Sequence, residues 1–397
     1  MNILVIGNGF DIAHGLRTKY TDFLKFTREF EELYAHRDRK ADIGWSDEYD
    51  KTFIKWIIEV FSEANKNDVY KDFVNEFHEM VFDNLWIGHF GVKEIKDGWI
   101  DFEKEISRVI QVLDNKRTNK CFMPDENTGD YRSRIENVVA EILSGYLGEE
   151  VIKLGTTTLP AIKDRLLRDL NRATRALELY LAYYVEGEQL DMQKHRIAKL
   201  PIVEKLKIDK VISFNYTDTF ERLYGPDGDG IVYEYIHGKA KKGIDAGTCN
   251  LVLGIDEYLN GSEKDTDNEY IEFKKFFQRI YKKTGSQYKV WIGRQKGNPV
   301  AKKDKNNVYF YGHSLDVTDK DIISDLIRME NSVATIFYHN RKSLGDQISN
   351  LVKILGEDEL IERAGDFRPS IDFQTLDEND IFDIINERKS AFFHLDD

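Results

Sequence analysis

Four aliphatic residues in a row, Ile3-Leu4-Val5-Ile6, run straight into Gly7-Asn8-Gly9. A short apolar run with no polar alternation has the pattern of a strand buried on both faces, as in a parallel sheet. A strand that empties into Gly-x-Gly can bring backbone N–H groups up to a phosphate at the start of a helix. A complete G-x-G-x-x-G would need glycine at position 12, where Ile12 stands. The turn therefore has two readings: one wall of a nucleotide pocket, or a plain strand-to-helix turn.

The same kind of run recurs late in the chain. Residues 210–214 (K-V-I-S-F), 231–236, 251–253, 308–311 and 333–338 are short, apolar and rich in Val, Ile, Phe and Tyr. Helical patterns lie between several of them. Residues 318–330 open with Thr-Asp-Lys-Asp, an N-terminal signal. Residues 341–355 place Leu344, Ile348, Leu351, Val352 and Leu355 on one face. This alternation predicts an α/β, Rossmann-like, mostly parallel sheet with helices on its faces.

Strand signals nearly vanish between residues 20 and 205. Phe23, Leu24, Phe26, Phe30 and Leu33 make one amphipathic stripe; Phe53, Trp56, Ile57, Val60 and Phe61 make another; Phe102, Ile106, Ile110 and Leu113 a third. The longest stripe, over residues 159–185, carries Ile162, Leu166, Leu170, Ala173, Leu177, Leu181 and Tyr184. Aromatic residues in such stripes belong to a core rather than to a cofactor box. The organisation expected is an α/β domain from residues 1–19 and 206–397, split after its first strand by a helical insertion over residues 20–205. The acidic tail, residues 377–397, is expected to be partly helical.

Composition narrows the function. The formal charge is −14, which opposes broad binding to a phosphate backbone unless basic residues cluster. Lys239-Ala240-Lys241-Lys242 and Lys302-Lys303-Asp304-Lys305 have the pattern of solvated loops. No apolar run approaches the ~20 residues that span a bilayer, and no secretory signal is read. Cys121 and Cys249 are the only cysteines and form no C-x-x-C pair, which fits a reducing, cytoplasmic setting and excludes a cysteine zinc site.

Ligands of open parallel sheets sit at the carboxyl ends of the strands. Unusual polar residues follow four of the expected strands: Gly7-Asn8-Gly9-Phe10-Asp11, Asn215-Tyr216-Thr217-Asp218, His237-Gly238, and Gly312-His313-Ser314-Leu315-Asp316. Each has a structural reading too. Asn215 and Asp218 suit a helix cap, His237 a strand-ending turn, and Ser314 or Asp316 the cap of an ordinary strand-to-helix turn. Their repetition at strand ends argues for a shared pocket. His14 and His313, with His237 and Asp11, could make a metal site, but no local ligand spacing supports one and no metal is expected.

These segments carry a family resemblance. G-N-G-F-D-I-A-H-G-L with T-x-Y-x-D-F-L, residues 7–24, resembles the N-terminal signature of the AbiH family of bacterial phage abortive-infection proteins. W-I-D-F-E at residues 99–103 and the F-N-Y-T-D, H-G and G-H-S-L-D segments extend the likeness. The motif order is also similar to that of sirtuin-like domains, which pair a G-A-G-x-S turn with T-x-N-x-D, H-G and G-x-S-x-x-D. Here Asp11 replaces the serine, Asn215 and His237 match, Asp218 falls one position late, and Gly312, Ser314 and Asp316 approximate the last motif. With no four-cysteine module, the likeness is to the sirtuin-like domains of anti-phage systems, some of which hydrolyse NAD.

The resemblance implies NAD, or a related nucleotide, as substrate or ligand, with cleavage of the nicotinamide–ribose bond. Asn215 and His237 are the expected catalytic residues. Gly7, Asn8, Gly9, Phe10, Asp11, Asp218, Gly312, Ser314 and Asp316 are the expected nucleotide contacts. A nucleotide sensor without turnover and a metal-dependent nuclease-type toxin using Asp11, Asp218 and Asp316 are the alternatives. A phage-derived trigger and a homo-oligomer are left open as partners; nucleic acid is disfavoured, and no membrane partner is expected.

Overall fold

The computed structural model describes residues 1–37, 49–92, 101–117, 159–192, 194–225, 230–243, 245–259, 266–295, 305–365 and 369–376. Trp99, Ile100, Cys121 and the tail from residue 377 lie outside them.

Six strands form one parallel sheet: β1 (Asn2–Ile6), β2 (Lys210–Ser213), β3 (Val232–Tyr235), β4 (Asn306–Tyr311), β5 (Ser332–Tyr338) and β6 (Ile371–Thr375). Their order is β3-β2-β1-β4-β5-β6. The opening aliphatic run is thus a central strand, with Leu4 opposite Val211 on one side and Tyr309 on the other. The parallel α/β expectation holds, and the helical region lies between β1 and β2 in the chain. β6 was not read from the sequence: it is an edge strand with only Ile371 buried, so its apolar signal is one residue long.

The described chain divides into two compact units, one made of Met1–Leu16, Lys194–His237 and Thr284–Asp397, the other of Arg17–Gln193 and Gly238–Lys283. In the first unit both faces of the central strands are covered, which is why β1 is an almost unbroken apolar run. Ile3, Val5, Ile212, Val308, Phe310 and Ile336 pack against Ile322, Leu326, Leu351 and Trp291 from the helices. Leu4, Ile6, Val211 and Tyr311 pack on the other face against Phe10, Val203 and Phe220. Each such buried side chain contributes roughly 1.5–3 kcal/mol.

The second unit is helical: Tyr20–His36, Lys51–Ala64, Asp68–Val81, Leu85–Val92, Phe102–Arg117 and Leu159–Leu179. The predicted stripes form an aromatic core, in which Phe26 meets Phe53, Phe77, Tyr180 and Tyr184 at ring-centroid distances of 4.9 to 5.7 Å. Asp50 and Asn67 cap two of the helices. Asp169, fully buried, accepts from the Leu85 N–H and pairs with Arg165 and Arg172.

Two expectations are corrected in this unit. The stripe over residues 159–185 is not one α-helix: it becomes a π-helix from Tyr180 to Met192. Tyr180 through Gly187 are buried in succession, so the one-sided period that marks an α-helix is lost where the turns widen. Residues 251–253 form no strand. They are fully buried, as the apolar run implied, but the Gln278 side chain takes the place of a neighbouring strand. Leu253 N–H donates to Gln278 Oε1 at 3.1 Å, and Gln278 Nε2 donates to the Leu253 carbonyl at 3.0 Å. No helix among the described residues is long and apolar enough to cross a membrane.

Candidate functional site

β1 passes directly into a short helix, α1 (Asn8–Ala13), with Gly7 at its N-cap. The N–H of Gly7 donates to the Tyr311 carbonyl at 3.1 Å, that of Gly9 to the Gly312 carbonyl at 2.8 Å, and that of Phe10 to the Gly7 carbonyl at 2.8 Å. Three of the N–H groups that a phosphate would need are therefore bonded within the protein. The glycines serve close approach instead. A Cβ on Gly9 would stand 2.7 Å from Gly312 Cα, and one on Gly312, whose φ is +65°, 2.3 Å from Phe10 N. Only glycine lets the β1 and β4 ends touch.

Phe10 is fully buried and packs against His14, Tyr224 and Tyr311. His14 is held by the same cluster. Its Nδ1 donates to the Phe10 carbonyl at 2.7 Å, and its Nε2 lies 2.8 Å from the Tyr224 hydroxyl. Burial lowers its pKa. Both ring nitrogens are engaged, which removes His14 from any ligand set.

Asp11 turns the other way, toward the end of β2. It is 1% exposed and accepts from the Thr217 hydroxyl through Oδ2, and its Oδ1 is buried without a hydrogen bond. Burial raises its pKa to about 6, opposed by the Thr217, Thr219 and Asn215 side chains and reinforced by the Asp218 charge. Asn215 sits on the same loop. Its N–H donates to Ser213 Oγ at 3.1 Å and its Nδ2 to the Gly7 carbonyl at 3.0 Å. The amide thus ties the β2 end to the β1 end. Asp218 occupies the N-cap of Thr219–Tyr224 without a capping bond and pairs with Arg222 instead.

The β3 and β4 ends supply two histidines and a carboxylate. His237 Nε2 lies 3.3 Å from Asp319 Oδ1, and His313 Nε2 lies 3.9 Å from Asp319 Oδ2. All three are buried. Phe214, at the end of β2, contacts both rings, with centroids 5.5 Å from His237 and 4.3 Å from His313; Tyr216 lies 6.2 Å from His237. Gln347 Nε2 donates to the carbonyls of His313 and Phe337, both at 3.2 Å, and pins the turn after β4. Gly238 falls in the other unit, where its own close approach is to the Asn250 carbonyl.

The strand ends thus carry two polar groups, Asp11 with Thr217 and Asn215 at the ends of β1 and β2, and His237, His313 and Asp319 at the ends of β3 and β4. Ser314 is exposed, and Asp316 accepts from the Thr318 N–H as a cap, the structural role the sequence left open for it. Asn8 is exposed beside the β1 end. The sequence shows Thr217 within the motif after β2 and Asp319 within a Thr-Asp-Lys-Asp helix start, and neither pattern marks them as site residues. Asp319 lies three residues beyond the glycine-histidine motif, where the helix-start pattern conceals it. Among the described residues no three His, Cys, Asp or Glu side chains are grouped so as to hold a metal ion.

A model of the family described as bacteriophage abortive infection AbiH matches residues 3–339, a span that runs from β1 through β5 and includes Asp11, Asn215, Thr217, His237, His313 and Asp319. The chain belongs to that family. No curated protein matches it.

Proposed function

We propose that this AbiH-family protein binds NAD or a related dinucleotide at the carboxyl ends of β1 to β4 and hydrolyses the nicotinamide–ribose bond. The observation that carries the reading is the strand order. β3-β2-β1-β4-β5-β6 is the order of the doubly wound dinucleotide-binding fold, whose ligand crosses the strand ends where the order reverses, between β1 and β4. Buried polar side chains are costly unless paired or used, and here they collect at the ends of those strands.

In this reading Gly7, Gly9 and Gly312 act as spacers, and the ligand's polar contacts come from side chains. Water adds to the ribose carbon as its bond to the nicotinamide nitrogen breaks. His237 takes the proton from that water, a role matched to a side chain that titrates near neutrality. Nicotinamide leaves as a neutral molecule and needs no acid. Asn215, held by its bond to Gly7, presents Oδ1 to a ribose hydroxyl or the attacking water. Asp11 accepts from a second hydroxyl through its unbonded Oδ1. The sirtuin-like order of the Asn215, His237 and Gly312 motifs supports the same substrate class.

The test is incubation with NAD and chromatography of the products, for the wild type and His237→Ala. Base removal should lower turnover by about 10²–10⁴-fold and leave thermal unfolding within a few degrees. NAD left intact by the wild type, in the presence and absence of phage infection lysate, refutes hydrolysis; tight binding without product makes the protein a nucleotide sensor.

A further inference from the structure

We propose that Asp319 is the positioning residue for His237, holding the imidazole proton on Nε2 so that Nδ1 is the basic nitrogen. Its kinetic consequence rests on the hydrolysis reading above; its structural consequence does not.

The argument starts from where Asp319 stands. It is the N-cap residue of the helix Lys320–Ile327, a position at which an Asp carboxylate ordinarily accepts from a first-turn N–H and stabilises the helix by ~1 kcal/mol. Asp319 makes no such bond. Its carboxylate is turned instead between two imidazoles, with Oδ1 3.3 Å from His237 Nε2, an ion-pair contact without hydrogen-bond alignment, and Oδ2 3.9 Å from His313 Nε2. The preceding residues prepare this placement: Asp316 caps the turn, and Asp319 N–H bonds to the Asp316 carbonyl at 3.1 Å.

His313 shows how tightly the arrangement is built. Its Nδ1 accepts from the Leu315 N–H at 2.9 Å. A backbone N–H only donates, so Nδ1 carries no proton and the neutral ring bears its proton on Nε2, the nitrogen that faces Asp319. Leu315 adopts φ +56°, an unfavourable region for leucine, to aim that N–H at the ring. With His313 fixed as a neutral neighbour, the one formal negative charge in the trio faces His237. A carboxylate beside one imidazole nitrogen favours the tautomer protonated there and stabilises the imidazolium that forms when the opposite nitrogen takes a proton.

The experiment is ¹⁵N-histidine NMR of the full chain above the imidazole titration range. Signals are assigned by loss in His237→Gln and His313→Gln. Both rings in the wild type are expected as Nε2–H tautomers. Asp319→Asn, nearly isosteric, should mix the His237 tautomers while His313, fixed by Leu315, stays Nε2–H. In the NAD assay the same variant should lose about 10²-fold or more in kcat, with KM within about threefold. An Nδ1–H tautomer of His237 in the wild type, or a His237 spectrum unchanged by Asp319→Asn, overturns the proposal. Unchanged turnover in an Asp319→Asn protein overturns the kinetic part. A wild type that leaves NAD intact refutes the hydrolysis reading, while the tautomer measurement still decides the role of Asp319.

Discussion

Replacing Asp11 by asparagine isolates the energetic cost of the charge at the end of β1. The carboxyl is fully buried, and its pKa rises from an ordinary 3.8 to about 6 because burial outweighs the hydrogen bond from Thr217 and the nearby polar groups of Thr219 and Asn215. The native state therefore holds this proton more tightly than the unfolded chain. Stability from this group is greatest at low pH, falls as pH rises from about 4 through about 6, and is flat above that. A shift of about two units at ~1.4 kcal/mol per unit makes the ionised group cost about 3 kcal/mol at neutral pH. Most of that, about 2 kcal/mol, develops between about pH 4 and pH 7.5 by linkage. Asparagine keeps an acceptor for Thr217 and cannot ionise. Urea unfolding of the wild type and Asp11→Asn at the two pH values should show the stability difference moving in favour of the variant by that amount. A difference that stays constant to within about 0.5 kcal/mol would refute the argument that burial dominates Asp11.

Gly312→Ala should destabilise by about 2–4 kcal/mol, since its Cβ would press on Phe10 N at a left-handed backbone position. Gly345→Ala, in an exposed helix with nothing near its Cβ, should instead stabilise by about 0.5–1 kcal/mol, and both are read by chemical denaturation. Tyr224→Phe removes the hydroxyl that serves both the Leu200 N–H at 2.6 Å and His14 Nε2. Its cost should be about 1–3 kcal/mol, seen as a lowered melting temperature. Asp169→Ala in the helical unit leaves the Leu85 N–H and two arginines without their buried anion. About 3 kcal/mol should be lost, with amide exchange at Leu85 accelerated by about 10²-fold.

Local patterns revealed the fold class because burial on both faces leaves a mark on each strand by itself. Ile3 to Ile6 and residues 210–214 could be recognised without knowing their partners. The helical stripes through Phe26, Phe53 and Ile106 were legible for the same reason: their period records one buried side. Residues 251–253 misled because burial alone does not specify a strand, and Gln278, some twenty-five residues onward, supplies the hydrogen bonds a strand would have made. The site was legible in part. Asn215 and His237 stand out as polar residues just after apolar runs, whereas Asp319 hides inside an ordinary helix start.

The amino-acid sequence alone determined that a buried strand ends in a tight glycine turn and that polar groups follow several later strands. Which strands are neighbours, and hence which polar groups meet, was decided only in the tertiary structure. The order β3-β2-β1-β4 sets the Gly7 turn between Asn215 on one side and Gly312 on the other. It also bonds the Gly7 and Gly9 N–H groups to the carbonyls of Tyr311 and Gly312, so that the turn spaces the strand ends. The physical reason is that periodicity and turn chemistry are properties of neighbours along the chain. A hydrogen bond across more than two hundred residues depends on which strands are paired, and no local pattern carries that information.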